Sequence, residues 1–123
     1  MNDCFRVIAV DFDGTLCKDK FPEIGIANKN LIEWLKKEQK SGTRVILWTC
    51  RCGKRLDEAV KWCLDQGLIF DAINDNLPGV VAAMGGSNSR KVYADIYIDD
   101  KAQLPLDLPF PFDLPSKEWK NNE

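Results

Sequence analysis

The chain has 123 residues, of which 45% are hydrophobic and 29% charged, with a formal net charge of −2. That length predicts one domain with a real core, and the charge balance excludes broad attraction to nucleic acid or acidic membranes. No apolar run approaches the ~20 residues that a bilayer span needs, and with no histidine present any acid–base chemistry near neutral pH falls to carboxylates, lysine, cysteine or tyrosine.

In chain order, residues 5–10 (FRVIAV) predict a buried strand, β-branched and without polar alternation, as in a parallel sheet. The strand runs straight into Asp11-Phe12-Asp13-Gly14. The Asp-Gly pair fits a β-turn, and it equally fits two carboxylates set at the lip of a sheet. Asn28 predicts the N-cap of a helix with Leu31, Trp34 and Leu35 on one face, ending near Gly42. Residues 44–48 (RVILW) predict a second buried strand. Leu56, Ala59, Val60, Cys63 and Leu64 follow helical spacing and predict a second helix, stopped by Gly67. Residues 68–73 (LIFDAI) predict a short third strand, and GVVAAMGG at 79–86 fits either a short helix or an irregular loop. Residues 94–98 (ADIYI) predict a fourth strand, followed at once by Asp99 and Asp100.

Strands alternating with helices imply right-handed crossovers and an α/β fold with a parallel sheet covered on both faces. Beyond residue 102 the composition shifts to LPLDLPFPFDLP, whose four prolines exclude regular helix. The expected organisation is therefore a core over 1–102 and a Pro-rich apolar tail over 103–123. The tail is expected to pack on its own core or on a neighbouring subunit, the latter making a homo-oligomer. Five cysteines at irregular spacing, with no apparent signal peptide, predict reduced thiols in the cytoplasm. The pair in CRC at 50–52 lacks the further ligands a structural zinc requires.

Ligands of open parallel sheets bind beyond the carboxyl ends of the strands. That edge should receive Asp11 and Asp13 from the first strand, and Thr49 and Arg51 from the second. The third should bring Asn74, Asp75 and Asn76, and the fourth Asp99 and Asp100. The Asp99-Asp100 pair could alone belong to a nucleotide hydrolase, but that needs a phosphate-cradling loop. GGSNSRK at 85–91, the nearest approach, has the wrong spacing.

Taken in order, VDFDGTL at 10–16, VILWT at 45–49 and IYIDD at 96–100 resemble three signatures of the haloacid dehalogenase (HAD) superfamily phosphatases. The resemblance implies a three-layer, Rossmann-like core with the short parallel sheet in strand order 4-1-2-3. Residues 16–27 are too short for a folded cap, so the chain is similar to the capless subgroup. The implied activity is a magnesium-dependent phosphatase acting on a phosphomonoester through an aspartyl-phosphate. Asp11 would be the nucleophile and Asp13 the general acid and base. Magnesium would take Asp11, Asp99 and Asp100 as ligands, with Asp13 through its backbone carbonyl. Thr49 would bind a phosphoryl oxygen. The family's lysine against the phosphate has Lys91 as its natural candidate. At ~3.3 Å per residue, however, an extended run to Asp99 carries Lys91 to the wrong end of the sheet. Arg51 is the alternative for gripping phosphate. The substrate would be a phosphorylated small molecule or a phosphorylated macromolecular end. Two rivals remain: a receiver-like phospho-switch, and a catalytically silent binding protein with the same fold.

Overall fold

The computed structural model describes residues 5–101. In chain order the elements are β1 (Val7–Val10), β2 (Cys17–Lys20), β3 (Glu23–Ala27), α1 (Lys29–Lys40), β4 (Arg44–Leu47), α2 (Gly53–Asp65), β5 (Ala72–Ile73), α3 (Pro78–Ala83) and β6 (Ile96–Ile98). The tail expected over 103–123 lies outside the described residues. Among the described residues no helix is long and apolar enough to cross a membrane.

β1 is apolar at every position and fully buried, which suits a strand paired and covered on both sides. It pairs in parallel with β4 on one side and β6 on the other, and β4 pairs in parallel with β5. The four-stranded sheet therefore has the order β5-β4-β1-β6. These labels differ from the expected order 4-1-2-3 because the chain inserts an antiparallel hairpin, β2-β3, between β1 and α1. The sequence marks residues 16–27 only as too short for a folded cap, and CKDK at 17–20 shows no apolar alternation that would announce a strand.

Alternate side chains of the sheet feed two cores. Ile8, Val10, Val45 and Leu47 join Ile32 and Leu35 of α1 and Ala59 and Cys63 of α2. Val7, Ala9 and Ile46 face the other way, with Leu77 and Val92, and Val80 of α3 packs against them. Removing a fully buried leucine such as Leu35 from such a core costs about 2–5 kcal/mol.

The caps follow from the sequence. The Asn28 side chain accepts from the Leu31 N–H at 3.2 Å and donates to the Thr15 carbonyl at 3.0 Å, so it caps α1 and ties down the hairpin's base. Gly42, at φ +101°, lets the chain turn out of α1. The third strand is shorter than expected over 68–73. Leu68 is buried in the core, and the Asp71 carboxylate accepts from the Val45 N–H at 2.7 Å, so regular pairing begins only at Ala72. Asp95 plays the same part beside β6, accepting from the Val7 N–H at 2.7 Å.

Candidate functional site

The carboxyl edge of the sheet and the hairpin enclose a cleft of about 340 Å³. β1 leads into Asp11 and Asp13, β4 into Thr49, Cys50 and Arg51, and β6 into Asp99, Asp100 and Lys101; the hairpin adds Asp19 and Phe21. Asn74, at φ +51°, lies just beyond β5 and lines a smaller adjoining hollow; its side chain accepts from the Thr49 N–H at 2.8 Å.

Asp11, Asp99 and Asp100 each offer a carboxylate oxygen, and these oxygens lie within 4.8 Å of one another. Pairing between strands makes this so: the Asp11 N–H donates to the Ile98 carbonyl at 2.9 Å, which sets the two strand ends side by side. Thr15 completes the link, its hydroxyl donating to Asp11 at 3.2 Å and accepting from the Asp100 N–H at 3.1 Å. Gly14 suits its place on two counts. Its φ of +85° suits glycine, and a Cβ there would collide with the Asp100 carboxylate. Burial, and after it the Asp99 charge, push the Asp11 carboxyl up to about 6. Burial also acts to raise Asp100, but hydrogen bonds with Asp11 and Lys101 outweigh it and hold that carboxyl below its ordinary value.

Arg51 is buried, with its side chain 1% exposed, and its Nε and Nη2 donate to the two oxygens of Asp13, each at 2.8 Å. Nη2 also donates to the Glu23 carbonyl at 3.0 Å and Nη1 to the Arg55 carbonyl at 3.3 Å. The guanidinium lies over both the Phe12 and Phe21 rings, 5.0 Å from each centroid. The Asp13 bond, ahead of opposing burial, raises the already high Arg51 pKa. Arg51 thus clamps the β1 loop to the hairpin and to α2. The expectation of a two-pronged grip on phosphate meets a physical obstacle, because that fork is occupied by Asp13.

Lys91 does not come to the cleft. Its ammonium stacks over the Tyr97 ring at 5.2 Å from the centroid, since the run before β6 carries it back along the sheet. Asp75 and Asn76, expected at the rim, organise the following loop instead. Asn76 is buried, donates to Asn88 at 2.9 Å and accepts from the Tyr93 N–H, while Asp75 accepts from Asn88 at 3.0 Å. Sequence reasoning missed Lys101, although it directly follows the quoted IYIDD. Its Nζ lies 3.4 Å from Asp100 at the cleft wall. It also missed Asp19 and Phe21, which no apolar pattern announced.

Fold and site together define a mixed α/β domain with an acidic cleft at the carboxyl edge of a parallel sheet. No family model matches the chain, and no curated protein does. A solved structure described as that of a conserved protein coded by a locus from Bacteroides thetaiotaomicron matches with a TM-score of 0.70 and 43% identity, covering 80% of this chain and 78% of that one. The chain belongs to the same family as that conserved protein.

Proposed function

We propose that this chain is a magnesium-dependent phosphatase of the HAD type, Rossmann-like and without a cap domain, that hydrolyses a phosphomonoester through an aspartyl-phosphate. One observation carries the reading: three carboxylates from two neighbouring strand ends converge within the reach of a single ion. Their donors are all oxygens, the set that hard divalent cations prefer. Asp11, Asp99 and Asp100 would hold magnesium, with the Asp13 backbone carbonyl as a further protein ligand. Bound there, it offsets negative charge on the phosphoryl oxygens.

The chain's own residues supply the rest. An Asp11 oxygen attacks phosphorus in line while the bond to the leaving oxygen breaks. Asp13 gives a proton to that oxygen, then takes one from the water that attacks the aspartyl-phosphate; phosphate departs and Asp11 is regenerated. Thr49 accepts from the Arg51 N–H at 3.1 Å, which leaves its own O–H to donate to a phosphoryl oxygen. Lys101, which lines the cleft, would be the cation that faces the phosphoryl group, in place of Lys91 or Arg51. A reducing cytoplasm suits the free thiols of Cys17, Cys50, Cys52 and Cys63.

The Arg51–Asp13 pair favours a second reading, a protein that binds a divalent ion and a phosphate group without turnover, because it engages the proposed general acid. Assays of an aryl phosphate with magnesium, with EDTA, and with Asp11→Asn decide between them. The phosphatase requires turnover that both EDTA and the substitution abolish. Activity surviving Asp11→Asn eliminates the nucleophile, and magnesium binding without turnover of a broad ester panel establishes the silent reading.

A further inference from the structure

Phe21 sits at the turn of the hairpin, on the wall of the acidic cleft, with 58% of its surface exposed. Packing among the described residues leaves more than half of it uncovered, whereas large aromatic side chains are mostly buried in stable domains. Its position is nevertheless fixed. One face of the ring lies against the buried Arg51 guanidinium, and the Phe21 N–H donates to the Asp19 carboxylate at 3.2 Å. The ring therefore forms part of the cleft wall beside the carboxylates, packed on Arg51 and otherwise largely exposed.

The charges of the same cleft restrict what could rest on that wall. Among the described residues, Asp11, Asp13, Asp19, Asp99 and Asp100 line it against two cations, Arg51 and Lys101, and Arg51 is matched by Asp13. One divalent ion and one phosphoryl dianion still leave the region negative. A leaving group carrying further anionic charge would be repelled in so small a volume. A flat, uncharged or cationic group would gain stacking area against Phe21 with no such cost.

Resting on the phosphatase reading, we infer that Phe21 forms the leaving-group subsite, and that the substrate is the phosphate monoester of a planar, uncharged or cationic alcohol. Phosphorylated ends of nucleic acids, whose neighbouring phosphates add negative charge, are disfavoured.

The test uses non-hydrolysable phosphonates, so that it reads the subsite without turnover. Calorimetric titrations with magnesium present compare phenylphosphonate, methylphosphonate and a ring-carboxylated phenylphosphonate on the full chain. Phenylphosphonate should bind about tenfold more tightly than methylphosphonate, the order expected of one aromatic contact, and the added carboxylate should reverse most of that gain. Phe21→Ala should erase the preference, Phe21→Leu should keep a part of it, and Phe21→Trp should keep it whole. Melting curves of the three variants check that the hairpin is intact. Equal affinities in the unsubstituted protein, a preference that survives Phe21→Ala, or binding of none of the phosphonates overturns the inference. A Phe21-dependent preference without ester hydrolysis would leave the subsite standing and refute the phosphatase. Hydrolysis with a Phe21-independent preference would do the reverse.

Discussion

Replacing Asp11 with asparagine separates the electrostatics of the acidic cluster from its chemistry. Burial and then the Asp99 charge carry the Asp11 carboxyl from 3.8 to about 6. A group whose folded pKa exceeds its unfolded one favours the fold fully below the lower value, and this contribution is lost as pH rises through the upper one. In the metal-free protein, stability should therefore fall between pH 3.8 and about 6, with the whole loss present at pH 7. At about 1.4 kcal/mol per pH unit the shift corresponds to about 3 kcal/mol, and water reaching the half-buried carboxylate reduces this to about 1.5 kcal/mol. Asparagine keeps the shape and removes the charge. In EDTA at pH 7, Asp11→Asn should therefore melt about 6 °C above the unsubstituted protein, by the scaling of melting entropy with chain length. At pH 3.5 the two should melt together. Saturating magnesium should reverse the order, because the carboxylate gains an ion that binds only the folded state. Thermal melts by circular dichroism at several pH values, with and without magnesium, provide the measurement. Equal melting at pH 7 in EDTA, or a difference that does not change with pH, would refute the account of the cluster as crowded charge awaiting a cation.

Three further outcomes follow from the same geometry. Arg51→Ala should lose about 3 kcal/mol in urea unfolding, since it leaves Asp13 without its partner, and Arg51→Lys should recover only part because one ammonium cannot match both oxygens. Gly14→Ala should cost about 2 kcal/mol in thermal stability from its backbone conformation, and magnesium titration should show weaker binding because the added methyl displaces Asp100. Lys101→Ala should weaken methylphosphonate binding about tenfold, as expected for loss of a charged hydrogen bond, whereas Lys91→Ala should leave it unchanged; the opposite pattern would restore Lys91 to the phosphate.

What the sequence made legible was whatever depends on nearby residues. The unbroken apolar run before Asp11 marked β1, Asn28 marked the start of α1, and the spacing from Leu56 to Leu64 marked α2, whose first turn begins earlier, at Gly53. The hairpin escaped notice because its strands are mostly exposed and their anchoring comes from afar, through Asn28 on the Thr15 carbonyl and Arg51 on the Glu23 carbonyl. The site divides in the same way. The carboxylates of Asp11, Asp99 and Asp100 stand at ends of strands that the apolar pattern locates. The partner of Arg51 is set by a contact across 38 positions, which local spacing does not encode. Lys91 was doubtful already from strand length alone, and its place over Tyr97 follows from that same length.

The aspartates at the amino-terminal border of the sheet have a consequence for the opposite border. By accepting from the Val7 amide of β1 and the Val45 amide of β4, Asp95 and Asp71 act as stops against sliding of the strands. Ile8 faces Ile96 and Val10 faces Ile98 only in that alignment. A slip of two residues would keep every side chain on its proper face yet displace Asp99 by roughly 6.6 Å relative to Asp11. Asp95, which lies outside the acidic cluster, thus sets the spacing on which a shared ion would depend, from the far end of the strands.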